Sequence, residues 1–339
     1  MRIVDMEAHF YTHDYIEHLR IRKRFPHQRL DEKTIKLYHN KTLFSPRGLK
    51  LEETLLDLGE GRIKHMDDHG IDIQVLSLTN PSVQLFPSGE GTIWARRTND
   101  VLAEVLKKYP SRFVGLASVA PQDPDEAVKE IERAVTRLGI KGVCLYSHSQ
   151  NEYLDNKKYW PIFEACVKLG VPIYIHPSIP STKMLPAYED YGYSLAGPVL
   201  GFAADLAVHT MRLIYCGLFD KYPKLQIILG HLGEGLPYWL PRLDFAFVKP
   251  WVGNKPSLQR KPSDYLKTNF IVTTSGIFFQ PALLCASLAL GIDRITFAID
   301  YPYEDTEEAL RFMREAPLAD SDKEKIYHTT ADRLFHLSE

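Results

Sequence analysis

The amino-acid sequence predicts an α/β fold, a (β/α)8 TIM barrel with long loop inserts after strands 1 and 5 and a C-terminal helix. Short apolar runs rich in β-branched residues recur along the 339 residues, and amphipathic segments of helix length separate them. The runs are continuous rather than alternating, as expected for parallel strands covered on both faces. Eight alternations of strand and helix are typical of a closed barrel, and an open doubly wound sheet is the alternative. No linker or repeat divides the chain, so we expect one domain over residues 1–339.

Each element is placed by its pattern of apolar residues. The predicted strands are 3–6, 71–78, 113–119, 142–145, 172–175, 225–229, 270–273 and 295–299. The predicted helices include 55–69, 92–109, 125–138, 159–169, 203–219 and 306–314, and a last helix over 322–335 is expected to pack outside the barrel. Gly or Pro follows several of these helices just before the next strand, which is usual at a helix C-terminus.

Three connections, 13–50, 177–198 and 249–267, are longer than ordinary βα loops. Such inserts are often lids or binding loops. The first insert is basic, with Arg20, Arg22, Lys23, Arg24, Arg29, Lys33 and Lys36. These side chains either form a solvated helix surface, which we favour, or help to hold an anionic substrate.

Composition and charge restrict the partners. Hydrophobic residues make up 45% of the chain and charged residues 25%, as is typical of a globular protein. The formal net charge of −2 gives no argument for nucleic acid or an anionic membrane as a partner. No apolar run approaches the roughly 20 residues of a membrane span, and no signal-peptide pattern begins the chain. The four cysteines form no C-x-x-C pair, so we expect reduced thiols and a cytoplasmic location.

Titratable side chains follow four of the predicted strands where each strand ends. Glu7 and His9 end the first strand, His176 the fifth, His231 the sixth and Asp300 the eighth. Barrel enzymes place their chemistry at this rim. One histidine at a strand end is usually a hydrogen-bonded core residue, but burying five unpaired polar groups would be costly. Imidazole nitrogens and carboxylate oxygens are ligands of divalent cations, so the group predicts a metal site.

Other residues near this rim have two interpretations each. Glu234 lies three residues after His231. It either orients the imidazole or acts as an acid in the first turn of a helix. The aromatic residues Phe10 and Tyr303 either pack against a substrate ring or belong to the barrel packing. The sequence contains no G-x-x-x-x-G-K-[ST], G-x-S-x-G or G-x-G-x-x-G motif, which argues against nucleotide-driven chemistry and a serine hydrolase.

Several of these motifs resemble a known family. They are Glu7-Ala8-His9, YIHPS at 174–178, GHLGEGLPYWLPRLD at 230–244, TTSG at 273–276 and DYPYED at 300–305. They resemble the amidohydrolase superfamily and, within it, the aminocarboxymuconate-semialdehyde decarboxylase-like branch. The greatest similarity is to metal-dependent decarboxylases of hydroxylated benzoates, which act on γ-resorcylate, 2,3-dihydroxybenzoate or 5-carboxyvanillate.

The resemblance implies roles for individual residues. Glu7, His9, His176 and Asp300 match the ligands of one Zn²⁺ or Mn²⁺ ion. His231 matches the histidine beside the substrate, with Glu234 as its partner, and Arg47 matches an arginine that binds a carboxylate. A small aromatic carboxylate is the implied substrate, and a homodimer or homotetramer is the implied assembly.

The expected reaction is a reversible, non-oxidative decarboxylation of an ortho-hydroxylated aromatic acid. The ipso carbon must be protonated before CO2 leaves. Asp300 is our first candidate for the proton donor, and His231 with Glu234 is the rival. A metal-dependent hydrolase or hydratase is the alternative, as is a barrel that binds metal without catalysis. Hydrolytic members of the superfamily that the sequence resembles commonly carry H-x-H on the first strand and often a carboxylated lysine on the fourth. This sequence has E-x-H on the first strand and Lys141 at the start of the fourth, so the resemblance favours decarboxylation over hydrolysis.

Overall fold

The computed structural model describes residues 1–31, 33–249, 251–253 and 256–337. In chain order, the strands are β1 (Val4–Phe10), β2 (His27–Asp31), β3 (Thr34–Tyr38), β4 (Phe44–Gly48), β5 (Ile73–Leu78), β6 (Phe113–Ser118), β7 (Gly142–Tyr146), β8 (Ile173–His176), β9 (Ile227–Leu229), β10 (Phe270–Thr273) and β11 (Ile295–Thr296). The helices are α1 (His13–Ile21), α2 (Leu49–Leu56), α3 (Glu60–His69), α4 (Ser88–Lys108), α5 (Pro124–Arg137), α6 (Trp160–Leu169), α7 (Tyr193–Ala196), α8 (Gly201–Tyr215), α9 (Leu218–Lys221), α10 (His231–Glu234), α11 (Leu240–Leu243), α12 (Phe245–Val248), α13 (Pro262–Asn269), α14 (Gln280–Leu290), α15 (Thr306–Arg314), α16 (Asp320–Glu324) and α17 (Thr330–Phe335). Further helical turns are Lys157–Tyr159, Leu185–Tyr191, Ile292–Arg294 and Lys325–Thr329.

Eight parallel strands form the barrel. Their order is β1-β5-β6-β7-β8-β9-β10-β11, so each strand lies beside the next parallel strand along the chain. The segment after β11 returns to β1. There the Asp300 amide donates to the Glu7 carbonyl oxygen at 3.1 Å, and the His9 amide donates to the Tyr301 carbonyl oxygen at 2.7 Å. The predicted TIM barrel, with helices outside, is therefore confirmed.

Two apolar layers support the barrel. One cluster joins alternate strand residues, including Val4 and Met6 of β1, and also contains Phe335 of α17. A larger cluster packs the other strand faces against the helices. β1 gains one residue relative to β5 between Asp5 and Ala8, where the register shifts. Because Phe335 belongs to the first of these clusters, the C-terminal helix α17 packs against the amino ends of the strands. The carboxyl ends remain open for a site.

The insert after β1 is a structured cover. It contains α1 and a three-stranded antiparallel sheet in the order β2-β3-β4, which the sequence analysis did not predict. Ile35 and Leu37 of β3 are buried on one face of this sheet, as are Ser45 and Arg47 of β4. The other positions of these strands are more exposed, as expected for a sheet that covers the barrel with one face.

Two of the predicted helices are interrupted. The segment 55–69 is divided into α2 and α3, because the chain leaves the helical conformation at Asp57 and re-enters it after Gly59. The segment 203–219 is divided at Gly217, whose φ of 80° a right-handed helix does not accommodate. The remaining predicted helices correspond to α4, α5, α6 and α15, and 322–335 corresponds to the region from α16 to α17.

The structure also bears on the expectations for the cysteines, for membrane spans and for the third insert. The cysteines are unpaired; Cys144 and Cys166 are buried, whereas Cys216 and Cys285 are partly exposed. Within the described ranges, no helix combines the length and the apolar character that crossing a membrane requires. Residues 250, 254 and 255 of the third predicted insert lie outside the described residues, and α13 occupies its last part.

Arg62 of α3 joins the helical layer to β1. Its side chain is 1% exposed, its Nη2 donates to the His9 carbonyl oxygen at 2.7 Å, and its Nε donates to the Asp57 carbonyl oxygen at 2.7 Å. Replacing it with methionine would leave one buried and one partly buried carbonyl oxygen without their donor, which we expect to lower the free energy of unfolding by about 3 kcal/mol. Lys64→Met is the matched control, because Lys64 lies on the same helix in an exposed ion pair with Asp68. Urea unfolding measures both, and equal effects of the two substitutions would contradict this role of Arg62.

Candidate metal centre

Four side chains from three separate parts of the barrel meet at the carboxyl ends of the strands. Glu7 and His9 come from β1, His176 ends β8, and Asp300 follows β11. One ligand-type atom from each lies within 4.8 Å of the others. Glu7 and His9 are two residues apart on an extended strand, so their side chains project to the same side. The structure thus brings together all four residues expected to bind a metal.

The polar atoms in this cluster fit a cation between them. His9 Nε2 lies 3.0 Å from Asp300 Oδ1 and 3.6 Å from Glu7 Oε1, and His176 Nε2 lies 3.2 Å from Glu7 Oε1. Among the described residues, Glu7 Oε1, His9 Nε2 and Asp300 Oδ1 are buried without a hydrogen-bond partner. Buried polar atoms normally find partners. Two imidazole nitrogens and two carboxylates that face one another in this way match the ligand set of Zn²⁺ or Mn²⁺.

Neighbouring groups orient the ligand side chains. His9 Nδ1 lies 3.1 Å from Ser77 Oγ, and His176 Nδ1 donates to the Pro177 carbonyl oxygen at 2.7 Å. A proton on Nδ1 of His176 leaves its Nε2 as the free acceptor, as a metal-binding imidazole requires. The second Glu7 oxygen accepts a hydrogen bond from the Tyr174 hydroxyl.

The electrostatics of the cluster favour charged side chains. Burial lowers the pKa of His9, but the Asp300 and Glu7 carboxylates outweigh it and raise the pKa to about 9. Burial raises the pKa of Glu7, but the His176 and His9 rings outweigh it and hold the pKa well below its usual range. The metal-free cluster therefore keeps a proton on His9 that a bound cation would have to replace.

His231 lies beside this cluster and carries its own carboxylate. Its Nε2 is 3.9 Å from Asp300 Oδ2, and its Nδ1 is 2.7 Å from Glu234 Oε1. Burial lowers the pKa of His231, but Glu234 and Asp300 outweigh burial and raise the pKa well above its usual range. His231 is thus positioned to hold a proton next to Asp300.

The chain conformation at 231–235 differs from the helix expected there. His231, Leu232, Gly233, Glu234 and Gly235 all have positive φ values, from 50° to 77°. The segment is one left-handed turn, so Glu234 is not an acid in the first turn of an ordinary helix. Left-handed conformations cost non-glycine residues about 1–2 kcal/mol each. The His231–Glu234 hydrogen bond lies across this turn, and the turn brings both side chains to the rim.

A cavity of about 190 Å³ opens above the cluster. Its lining includes His176, His231, Glu234 and Asp300 together with apolar and polar residues of the inserts. Phe202, Val199 and Pro198 form part of its apolar wall. The combination of an apolar wall with a few convergent polar groups is typical of a small-molecule site.

Arg47 reaches the cavity from β4. It is 8% exposed, its Nη1 donates to the Tyr11 hydroxyl, and its Nη2 donates to the Asn80 carbonyl oxygen at 3.1 Å. Within the part of the chain that the structure describes, no carboxylate forms an ion pair with Arg47. Buried charges are usually paired, so this guanidinium is suited to an anionic group in the cavity.

The basic residues of the first insert do not share this position. None of the seven lines the cavity. Arg20 pairs with Glu52, Arg22 with Glu90 and Lys36 with Asp31. The pairings and the position outside the cavity agree with a surface role for six of these side chains, whereas Arg22 is buried.

The structure places only one of the two aromatic candidates, Tyr303, at the cavity. Tyr303 lines the cavity, its hydroxyl lies 2.8 Å from Thr79 Oγ1, and its ring contacts the His9 ring at 5.6 Å between centroids. Phe10 is 1% exposed and packs in the outer apolar cluster with Ala8, away from the cavity. The expectation that Phe10 contacts the substrate is therefore not supported, because alternate residues of β1 face opposite sides.

Other residues lining the cavity were not identified from the sequence. Among them are His39 and Ser45 of the first insert, Gly276 after β10 and Glu304 after β11. The DYPYED motif contains Glu304, but its exposed-looking position in a turn gave no sign of a role. Ser45 belongs to a sheet that the sequence did not reveal, and His39 directly follows strand β3 of the same sheet.

Metal binding should weaken as the pH falls. Because the pKa of His9 is raised to about 9 in the metal-free cluster, a cation must displace one proton at every pH below that value. We expect the apparent metal affinity to fall about tenfold for each unit of pH between 8.5 and 6.5, with one proton released per cation bound. Competition with a chromophoric chelator, corrected for its own protonation, measures this. An affinity independent of pH would contradict the assignment of His9 as a ligand.

Comparison with known proteins extends the geometric findings. The sequence profile of the amidohydrolase family matches residues 4–337. The chain is 40% identical over 298 residues to a γ-resorcylate decarboxylase of Polaromonas sp. (strain JS666), which covers 85% of this chain and 90% of that protein.

Two solved structures resemble the whole fold. A 5-carboxyvanillate decarboxylase from Sphingomonas paucimobilis superposes with a TM-score of 0.89 at 34% identity, covering 99% of both chains. A dihydroxybenzoic acid decarboxylase from Polaromonas sp. JS666, with bound manganese and the inhibitor 2-nitroresorcinol, superposes with a TM-score of 0.86 at 36% identity, covering 100% of this chain and 98% of that one. The barrel, the sequence profile and these similarities show that the chain belongs to the amidohydrolase family.

Proposed function

We propose that this protein is a metal-dependent decarboxylase that removes CO2 from an ortho-hydroxylated benzoate such as γ-resorcylate or a related aromatic acid. The observation that carries the proposal is the cluster of Glu7, His9, His176 and Asp300 beside the His231–Glu234 pair. This arrangement combines cation ligands with a proton-holding group at one rim. The γ-resorcylate decarboxylase and the 5-carboxyvanillate decarboxylase to which most of the chain is similar support the same reaction class.

We propose one divalent cation, Mn²⁺ or Zn²⁺, at the four-residue cluster. Manganese in the dihydroxybenzoic acid decarboxylase relative supports Mn²⁺. When bound, the cation would supply a Lewis acid that neutralises the carboxylate and phenolate oxygens of the substrate.

The residues around the cluster can supply the proton that decarboxylation requires. Decarboxylation needs a proton at the ring carbon that carries the carboxylate, because direct loss of CO2 would form a bare aryl anion. The ortho hydroxyl makes this carbon electron-rich enough to accept it. The bond to the carboxylate then breaks, its electron pair returns to the ring, and CO2 leaves. We assign proton delivery to Asp300 and replenishment to His231, whose Nε2 lies 3.9 Å from Asp300 Oδ2. Glu234 holds the His231 ring in place through Nδ1.

Arg47 supports a substrate with a second acidic group. The guanidinium is buried, lines the cavity and has no carboxylate partner among the described residues. An aromatic diacid would place its second carboxylate against Arg47 while the first lies at the metal cluster. Tyr303 lies between these regions, within reach of Thr79 and His9.

We also propose that the chain assembles as a homodimer or homotetramer. Tyr238, Trp239, Phe279 and Leu288 are large apolar side chains exposed to solvent. Tyr238 and Phe279 line one apolar surface groove near the His231 turn. Exposed apolar patches of this kind commonly mark protein interfaces.

One assay tests the reaction class. Metal-loaded protein is incubated separately with γ-resorcylate, 2,3-dihydroxybenzoate, salicylate, 3,4-dihydroxybenzoate and 5-carboxyvanillate, with and without chelator, and the phenolic products are separated by chromatography. We expect one acid to give the decarboxylated phenol and chelator to abolish its formation, because the cluster supplies the only Lewis acid in the proposal. If metal is bound and no acid yields a phenol, the decarboxylase proposal fails, and a hydrolase or hydratase becomes the explanation to test.

Replacing Arg47 tests whether the substrate carries a second carboxylate. For Arg47→Met we expect KM to rise about tenfold to a hundredfold for an aromatic diacid and little for a monoacid, since a charge-assisted contact is lost only with the diacid. Arg29→Met is the matched control, because Arg29 lies on the exposed side of the same sheet. Steady-state kinetics on both substrate types measure the effect, and equal changes for the two types would contradict the assignment.

A further inference from the structure

We propose that Glu304 is a specificity-determining residue, whose carboxylate accepts a hydrogen bond from a hydroxyl or amino substituent of the substrate ring and excludes acidic substituents from that side of the cavity. The proposal rests on the proposed function, because it concerns the ring that the decarboxylase would bind. No role for Glu304 follows from the metal cluster or from the proton path.

The position of Glu304 brings its carboxylate to the edge of His231. It lines the cavity in the turn between β11 and α15, and its amide donates to the Asp300 carbonyl oxygen at 3.3 Å. Gly276 lies opposite. A Cβ at Gly276 would lie 3.1 Å from His231 Cδ2 and 3.8 Å from Glu304 Oε1. The imidazole edge, the glycine and the carboxylate thus border one small part of the cavity.

Gly276 keeps this space open for two reasons. Its φ is 62°, a conformation that side-chain-bearing residues rarely adopt, and a Cβ would crowd the His231 ring. The carboxylate of Glu304 can therefore face a ligand in the cavity without a side chain from β10 in between. A substituent on the ligand that enters this space meets the carboxylate directly.

The carboxylate of Glu304 is free to act on a ligand. Among the residues described, it forms no hydrogen bond and no ion pair, whereas Glu234 is bonded to His231 and Asp300 faces His9. An ionised carboxylate is only an acceptor. Its natural ligand is therefore a hydrogen-bond donor, such as a phenolic hydroxyl or an aromatic amine, and it repels another carboxylate.

Arg47 and Glu304 both line the cavity and reach it from different segments of the chain. Arg47 donates to the Asn80 carbonyl oxygen, in the loop after the second barrel strand, β5. The groups around Glu304 follow the sixth and seventh barrel strands, β9 and β10, with His231 after the first of these and Gly276 after the second. The cavity is therefore lined both by a cation, held beside Asn80, and by a carboxylate, held near His231 and Gly276.

This polarity fixes how a substituted ring can enter. An anionic substituent is attracted to the Arg47 side and repelled from the Glu304 side, and a donor substituent has the reverse preference. A ring that carries one of each fits in one orientation. Glu304 would thus select among hydroxylated aromatic acids that bind the metal cluster equally well.

The pH of the test is set by the ionisation of Glu304. The measurements are therefore made well above neutral pH, where this side chain is an ionised acceptor.

Binding of substrate analogues tests the proposal without turnover. Metal-loaded wild type and Glu304→Gln are titrated calorimetrically with 2-nitrophenol and with its derivatives that carry one hydroxyl, amino, methoxy or carboxylate group at each remaining ring position. In the wild type we expect one ring position at which hydroxyl or amino binds about tenfold more tightly than methoxy, as a hydrogen bond to a charged acceptor predicts. In Glu304→Gln this preference should shrink to less than about threefold. The carboxylate derivative at that position should gain about tenfold, because the repelling charge is gone.

Glu308→Gln is the matched control. Glu308 lies one turn away on α15, carries the same charge and does not line the cavity. We expect the substitution Glu308→Gln to leave every ratio of analogue affinities unchanged. The proposal is overturned if Glu304→Gln and wild type show the same ratios, or if Glu308→Gln changes them as much. It is also overturned, from wild type alone, if no ring position prefers a donor to methoxy. A protein that binds analogues in the expected pattern but decarboxylates no acid would refute the proposed reaction and leave the role of Glu304 intact.

Discussion

Closure of the barrel is the constraint on which the candidate metal centre depends. The chain that follows the last strand returns to the first strand, and the Asp300 amide bonds to the Glu7 carbonyl oxygen. One backbone contact therefore sets the separation of two acidic side chains that are almost three hundred residues apart in sequence. His9 takes part in the same closure through its own amide. Any change that loosens the contact between the first and last strands also changes the distances among the cation ligands.

Much of this arrangement is predictable because it follows from periodicity. Continuous apolar runs identify the eight barrel strands, and the carboxyl ends of parallel strands must meet, so Glu7, His9, His176 and Asp300 can be grouped by their positions along the chain. The same alternation along β1 also predicts the direction of the Phe10 side chain. If Glu7 and His9 project to one side, then Phe10 projects to the other. Of the two interpretations of Phe10, a substrate contact conflicts with this alternation and barrel packing agrees with it.

The features that escaped the sequence analysis depend on tertiary context. From the sequence, the segment after β9 could be a helix with Glu234 in its first turn. The sign of a left-handed turn instead was the pair of glycines at 233 and 235, which allow positive φ. The sheet β2-β3-β4 consists of short strands with charged outer positions, and only the alternation around Ile35 and Leu37 indicated it. Glu304 could not be assigned from spacing alone, because its place beside His231 depends on Gly276 and on the course of another loop.

The sheet formed by β2, β3 and β4 has a consequence for how this protein can change. Arg47 belongs to this sheet, whereas the cation ligands belong to the barrel. The sheet is one contiguous segment between α1 and α2, and within it all pairing is local. The proposed contact of Arg47 with a ligand is therefore encoded in one short segment, separate from the proposed cation ligands and from Glu304. On the proposed role of Arg47, exchange of that segment between related enzymes would change the contact with the ligand while the barrel residues stay the same.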